Sequence, residues 1–383
     1  MRCEHFFCPC PRGLETVLQE ELLALGANDL HATEGGVAFT GDASLMRRVN
    51  LHSRIASRVL LRLRRGNYRD EKDLYQLAHK IDWPAYFPVE CTIKVKTDGI
   101  KAPVRSLEFV SLTIKDAVCD RFRAAGGERP SVDTQRPDMR IHVFLNHNDA
   151  SIYLDTSGEA LFKRGYRIAT GEAPIRENLA AGLLALAGWK PGVALFDPMC
   201  GSATFLIEAA NQALNRAPGR FRHFAFERFH GFDEPAWQAE REQARQAELS
   251  PRALPIFGRD IDRQVLDAAH SNLIENGLDL CVSLEQGDML EAPAPAASGV
   301  VISNPPYGVR LDELERLAAL YPQMGHWMKR TLAGWNVYLF SADLRLAKLI
   351  RLSASKRTPL YNGGLECRLF EYKMIAGGNR PAR

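Results

Sequence analysis

Ala194-Leu195-Phe196-Asp197-Pro198-Met199-Cys200-Gly201-Ser202-Ala203-Thr204 reads as a short apolar strand that ends on an acid and turns through small residues. It runs directly into an apolar helix, Phe205-Leu206-Ile207-Glu208-Ala209-Ala210. Such a strand–turn–helix unit opens the alternation that marks a parallel sheet covered by helices. The alternation continues. Ile256 to Asp260 is a second strand, followed by a helix over Val265 to Asn276; Cys281 to Leu284 is a third strand and Gly299 to Ser303 a fourth. Trp335 to Phe340 is a fifth. A last pair, Arg357 to Leu360 and Glu366 to Tyr372, turns at Tyr361-Asn362-Gly363-Gly364 and predicts an antiparallel sheet edge.

Three acids end successive strands, where an open α/β sheet binds its ligands. Asp197 is placed to neutralise an ammonium, while Cys200, Gly201, Ser202 and Thr204 let backbone amides approach a ligand closely. A phosphate loop is disfavoured, because no Gly-Lys-Ser/Thr follows and an acid leads the turn. Asp260, with Ile261 beside it, is placed to accept both hydroxyls of a ribose; Asp262 lies past the strand end and suits a helix cap. Asp288, next to Met289, can accept an adenine amino hydrogen. Each acid alone is more often a cap or turn residue, but ammonium, ribose and adenine together describe S-adenosylmethionine. Glu177 and Asn178, ahead of the apolar helix Leu179 to Leu186, either cover the methionine end or only start that helix.

The fourth strand ends in Asn304-Pro305-Pro306-Tyr307. An exocyclic amine on a planar π system is a poor nucleophile, because its lone pair is delocalised. Two acceptors that take both N–H hydrogens draw that pair out of conjugation, and the Asn304 side-chain carbonyl and Pro305 backbone carbonyl suit the task. The two prolines stiffen the turn and remove competing donors, and Tyr307 offers a face for a flat ring. Asn304 is also expected to border the cofactor. Taken alone, the tetrapeptide can equally be a Pro-Pro-Tyr turn closing a strand.

A chain of 383 residues is expected to form two or three compact units. Its net charge of +3 gives no global cationic field. Locally, Arg54, Arg58, Arg62, Arg64, Arg65 and Arg69 fall in one stretch without an acid. That run is either the solvated face of a buried element or a phosphate-contacting surface, with Arg58, Arg62, Arg64 and Arg65 as the RNA-binding candidates. No apolar run approaches the roughly 20 residues of a membrane span, and the N-terminus lacks a signal-peptide pattern. Cytoplasmic localisation is expected, without membrane association. Cys3, His5, Cys8 and Cys10 are close in sequence, but Cys-Pro-Cys is tighter than zinc ligand pairs usually are; reduced thiols and no metal are expected.

Upstream, residues 1–66 read as strand, helix, strand, helix, strand, a small α+β lobe. Residues 67–162 form a second unit, with a helix over Leu74 to Ile81, a strand at Cys91 to Lys96, a helix over Ser111 to Phe122, and a hairpin flanking Asn146-His147-Asn148-Asp149. The sheet described above occupies 163–383. Its long insert, Asn215 to about Pro251, mixes Arg220, Arg222 and Arg228 with Phe221, Phe224, Phe226 and Phe229, and suits RNA contact, a lid over the base or an aromatic packing cluster.

The segment from Asp155 to Tyr372 resembles the THUMP-containing bacterial large-subunit (23S) ribosomal RNA guanine-N2 methyltransferases, often labelled N6-adenine-specific DNA methylases. The resemblance rests on Lys163 to Arg167, Gly171 to Pro174, Glu177 to Ala181, Asp197 to Ser202, Asp260 to Asp262, Asn304 to Leu311 and Leu360 to Gly363. Pro9 to Glu15 and Ser57 to Arg62 are similar to that family's N-terminal region. It implies an α/β chain: a Rossmann-like class I methyltransferase sheet preceded by ferredoxin-like and THUMP domains. It also implies transfer of a methyl group from S-adenosylmethionine to guanosine N2 in 23S rRNA or its precursor particle, with no obligate protein partner evident. Ala203 departs from the usual glycine of the cofactor turn, which is acceptable if its φ is negative. A second methyltransferase domain found in some relatives does not follow, so one modification is expected. The rivals are a DNA adenine-N6 methyltransferase, a protein glutamine methyltransferase and a catalytically silent RNA-binding module.

Overall fold

Two seven-stranded sheets carry the chain. The computed structural model describes residues 3–165, 175–306 and 311–375. The first sheet contains β1 (Glu4–Pro9), β2 (Asn28–Thr33), β3 (Gly36–Gly41), β4 (Leu60–Asn67), β5 (Ile93–Ile100), β6 (Met139–Asn146) and β7 (Asp149–Asp155), in the order β2-β3-β1-β4-β7-β6-β5. Helices α1 (Glu15–Ala24), α2 (Ala43–His52), α3 (Glu71–His79) and α4 (Leu107–Gly126) cover it. The segments read above as two units share this sheet, because β4 pairs with β1 at Leu60 and Leu61 and with β7 from Leu60 to Asn67. Each nevertheless has its own core: Trp83, Phe87, Ile114 and Ile141 belong to a cluster separate from Leu14, Leu18 and Val49.

The second sheet follows α5 (Glu177–Leu186). Its elements are β8 (Leu195–Asp197), α6 (Thr204–Ala213), α7 (Glu234–Gln246), β9 (Ile256–Asp260), α8 (Arg263–Glu275), β10 (Ser283–Gln286), β11 (Gly299–Ser303), α9 (Leu311–Thr331), β12 (Trp335–Ser341), β13 (Lys356–Asn362) and β14 (Leu365–Lys373). The order is β10-β9-β8-β11-β12-β14-β13. The pairs from β10 to β12 are parallel, and β14 joins β12 antiparallel, as the closing hairpin predicts. Strand order reverses between β8 and β11, which opens a crevice at their carboxyl ends.

The first lobe is packed onto the second sheet through α5, whose Leu179, Ala180, Ala181, Leu183 and Leu184 are all buried in the cluster that holds Leu14 and Leu18. Gly182 permits this approach: a Cβ there would sit 2.3 Å from Leu14 Cδ1. Gly182→Val is expected to overpack the contact and lower unfolding free energy by about 1–3 kcal/mol. An unchanged denaturation midpoint would show that the α1–α5 contact yields freely.

The insert between β8 and β9 resolves largely into packing. Phe224 and Phe226 stack at 5.3 Å, and Phe226 meets Trp237 edge-on at 5.1 Å. Arg222 donates to the carbonyls of Ala160 (2.8 Å) and Glu159 (2.6 Å). Arg47 of the first lobe pairs with Glu240 of α7 at 2.7 Å. The insert therefore braces the two sheets. Phe221 alone of its phenylalanines is highly exposed, at 79%.

Candidate active site

A crevice of about 540 Å³ lies at the carboxyl ends of β8, β9, β10 and β11. Asp197, Cys200, Gly201, Ser202, Thr204, Asp260, Ile261, Asp288, Met289, Asn304, Pro305 and Pro306 all line it. Tyr307 lies outside the described residues, as do Gly171 to Pro174.

The local chemistry explains each placement. Asp197 ends β8 fully buried, and its Oδ1 accepts the Ser303 hydroxyl at 2.7 Å and the Met199 N–H at 3.2 Å. Burial pushes its carboxyl up to about 7; those two hydrogen bonds pull it down and the nearby Asp260 charge adds to the rise. Asp260 accepts the Gly201 N–H at 2.9 Å and the Asp262 N–H at 3.0 Å, so it holds the small-residue turn while facing the crevice. Asp262 caps α8 through Gln264 and Val265, as its position predicts. Asp288 accepts the Leu290 N–H at 2.9 Å and starts a single 3-10 turn at Met289. Asn272 steadies the turn from α8 by donating to the Ser202 carbonyl at 3.2 Å. The Cys200 thiol is buried and pushed well above its ordinary range by desolvation, which leaves it protonated and unreactive.

Ala203 corrects one expectation. Its φ is +66°, in the left-handed region, not negative. That conformation costs a non-glycine residue about 1–2 kcal/mol. The methyl is completely buried, which returns about 0.8 kcal/mol and explains why alanine is tolerated where glycine is easier.

Asn304 follows Ser303 directly, so the residue that holds Asp197 also sets the position of the tetrapeptide. The Asn304 Oδ1 is buried with no hydrogen-bond partner among the described residues. An orphaned carbonyl of this kind costs about 1–3 kcal/mol, and here it belongs to a side chain that lines the crevice. Pro305 is buried, and the carbonyl of Pro306 accepts the hydroxyl of Tyr321 at 3.3 Å from α9. Burial pushes the Tyr321 hydroxyl up to about 12, so it remains a donor.

Other candidates fall elsewhere. Arg58 is turned inward: its guanidinium is shared between the buried Asp155 carboxylate and the Gly158 carbonyl, and it is not presented to a phosphate. Arg65 is exposed and pairs with Asp149, while Arg62 and Arg64 are half-buried on β4. Asn178 donates to the Ile55 carbonyl and the Ser57 hydroxyl, both at 3.1 Å, and ties α5 to the first lobe instead of covering the crevice. Cys8 and Cys10 are buried, with thiols pushed up mainly by desolvation. Ile175, Phe205, Val265 and Leu320 also line the crevice; nothing in their spacing distinguishes them from core residues. Among the described residues no helix is long and apolar enough to cross a membrane.

A doubly wound sheet with an antiparallel closing strand, three acids at successive strand ends and an unpaired amide carbonyl beside them defines the class of a Rossmann-like methyltransferase. The comparisons agree. Residues 164–371 match the family described as RMKL-like, methyltransferase domain; residues 68–155 match the THUMP domain, and residues 5–60 the RlmL ferredoxin-like domain. A protein of Synechocystis sp. named "Putative RNA methyltransferase slr0064" is 39% identical over 96% of each chain. SMU.472, solved in complex with SAH, is 31% identical with a TM-score of 0.88 over the whole of both chains. A Listeria monocytogenes structure described as "a predicted N6-adenine-specific DNA methylase" is 30% identical over 98% of this chain and 97% of its own, with a TM-score of 0.88. The chain belongs to the RMKL-like methyltransferase family, with RlmL-type ferredoxin-like and THUMP domains ahead of the catalytic sheet.

Proposed function

We propose that this chain is an S-adenosylmethionine-dependent RNA methyltransferase that modifies the exocyclic N2 amine of a guanosine in large-subunit ribosomal RNA, in the cytoplasm. The observation that carries the reading is the buried Oδ1 of Asn304, without a hydrogen-bond partner among the described residues, at the edge of an acidic crevice. It is an acceptor waiting for a donor, and an amine hydrogen is the donor the chemistry requires.

The crevice fits the cofactor. Its volume lies in the range of about 300–1,000 Å³ usual for small-molecule sites. The described lining holds three carboxylates and neither lysine nor arginine, which suits a cationic sulfonium and ammonium and opposes a phosphate-bearing nucleotide. Asp197 holds the ammonium, Asp260 the ribose hydroxyls and Asp288 the adenine amine, with Ile261, Met289 and the Cys200–Thr204 turn completing the cradle. SMU.472, solved with SAH, supports S-adenosylmethionine as the cofactor. When bound, S-adenosylmethionine supplies an electrophilic methyl group.

The protein's own contribution is positioning and electrostatics. Asn304 and the Pro305 carbonyl accept the two amine hydrogens and direct the lone pair outward. Pro306, held by Tyr321, keeps the turn rigid. Tyr307 offers its ring to the extruded base. After transfer the extra proton leaves to solvent. The THUMP domain, together with Arg62, Arg64 and Arg65 on the adjoining strand β4, holds folded RNA through phosphates and shape. The Synechocystis relative's name supports RNA as the substrate class.

Adenine N6 in DNA is the second reading, favoured by the same tetrapeptide and by the description of the Listeria structure. Incubation with labelled cofactor and, separately, rRNA from a strain lacking this protein, genomic DNA, or a protein extract discriminates between them. Label in rRNA alone is expected; label confined to DNA or protein would overturn the proposal.

The buried Asp197 makes cofactor binding pH-dependent. Its carboxyl is ordinarily ionised above about 4, but in the folded chain only above about 7. The folded state therefore retains a proton that the unfolded chain releases, and this group's contribution to stability declines as pH rises from about 4 to 7. Pairing with an ammonium needs the ionised form, so cofactor affinity should rise about tenfold per pH unit below 7 and level off above it. A titration calorimetry series that is flat from pH 5.5 to 8 would remove Asp197 from the ammonium site.

A further inference from the structure

Glu208 and Asn211 on α6 line a narrow second crevice between the first lobe and the catalytic sheet, about 6–10 Å along the helix from Thr204. It gathers four guanidiniums: Arg54, Arg164, Arg216 and Arg220. Glu208 pairs with Arg164 at 2.9 Å and Glu248 lies 3.8 Å from Arg216. Much of the remaining hydrogen bonding goes to neutral oxygens. Arg54 donates to the Arg216 carbonyl at 2.7 Å, Arg164 to the Arg54 carbonyl at 2.8 Å, Arg216 to the Asn276 carbonyl at 2.8 Å, and Arg220 to Asn211 Oδ1 at 3.3 Å. These contacts fix the guanidiniums without cancelling their charge.

Two observations point to a ligand. Arg164 is 93% buried by its 7% exposure, and its Nη1 has no hydrogen-bond partner among the described residues. Phe221, at the rim, is 79% exposed and has the Arg220 guanidinium 4.6 Å from its ring centroid. The other aromatic residues of this insert that stack on one another, Phe224, Phe226 and Trp237, are buried, so packing does not account for Phe221. Burial draws the Arg220 guanidinium down to about 10; repulsion from Arg216 and Arg54 adds to the fall and the Glu248 carboxylate opposes it. The cavity of about 20 Å³ admits one water-sized atom, hence one phosphoryl oxygen and not a base.

We infer that Arg164, Arg216 and Arg220 take one backbone phosphate of the RNA substrate at this crevice, while an adjacent unpaired base stacks on Phe221. The inference rests on the RNA reading above and adds a contact on the insert, away from both the THUMP domain and the cofactor crevice. A guanidinium cluster beside a bare aromatic ring is the combination that reads single-stranded RNA, since every nucleotide offers both an anion and a π face.

The test uses the full-length chain, an in vitro transcribed 23S rRNA and filter binding over a salt series. Phe221→Ala, a change at an exposed side chain, should weaken binding about tenfold, and Phe221→Trp should restore it. Arg220→Gln should reduce the slope of log affinity against log salt by about 1. Cofactor affinity should be unaltered in all three. If the unaltered chain binds the transcript and Phe221→Ala and Arg220→Gln follow the same curve, the crevice is not an RNA contact. Failure of the unaltered chain to bind the transcript would instead refute the RNA reading and this inference with it.

Discussion

Asn304→Ala is expected to lower the single-turnover methylation rate by about 10²–10³-fold, the scale on which loss of one preorganised polar contact to a transition state is felt. The cofactor dissociation constant should move by no more than a few-fold, because the three strand-end acids remain. The asymmetry follows from the geometry. Oδ1 is already buried, with no hydrogen-bond partner among the described residues, before any substrate arrives, so the folded protein has met its desolvation cost in advance. The new hydrogen bond then forms with an amine whose N–H groups become more acidic as the methyl transfers, and it strengthens in the transition state more than in the ground state. Rapid-quench kinetics with labelled cofactor, paired with calorimetry, separates the two quantities. Equal losses in both would show that Asn304 holds the strand end and does not act on the amine.

Asp260→Ala is expected to do the opposite. Two charge-assisted hydrogen bonds to a ribose, at about 1.5–3 kcal/mol each, are worth on the order of 10²-fold or more in cofactor affinity. The same carboxylate ties the Gly201 amide to the following loop through Asp262, so the alanine variant also loosens the turn under the cofactor. At saturating cofactor the rate should recover to within a few-fold of normal. Asp260→Asn should fall between the two, since its amide keeps one acceptor oxygen but brings an N–H₂ toward the Gly201 amide. A calorimetric titration of Asp260→Ala that matches the unaltered chain would exclude the ribose role.

Much of the catalytic sheet was legible because its signals are local. Each strand is a short apolar run, each ends on an acid or a turn residue, and Gly363, at φ +63°, closes the last hairpin where Asn-Gly-Gly predicted it. The candidate site was legible for the same reason: residues at successive strand ends in a parallel sheet are brought together by topology alone. What escaped was long-range. The pairing of Leu60 with Asp155, which fuses the two N-terminal segments into one sheet, leaves no mark near either residue. Arginine was hardest to place. The sequence leaves Arg58 as a solvated or phosphate-contacting cation and Arg222 as part of an RNA contact, a lid or a packing cluster; each turns inward onto protein oxygens, a choice decided by distant partners. Ala203 shows the converse: its left-handed backbone is stabilised by a methyl burial that only the packed structure reveals.

The position of the methyl group is the most direct test of the whole account. Nucleoside mass spectrometry of 23S rRNA, from cells with and without this protein, should show N2-methylguanosine lost at one position in the deletion and restored by the unaltered chain but not by Asn304→Ala. Unchanged N2-methylguanosine, or loss of N6-methyladenosine from DNA instead, would contradict it.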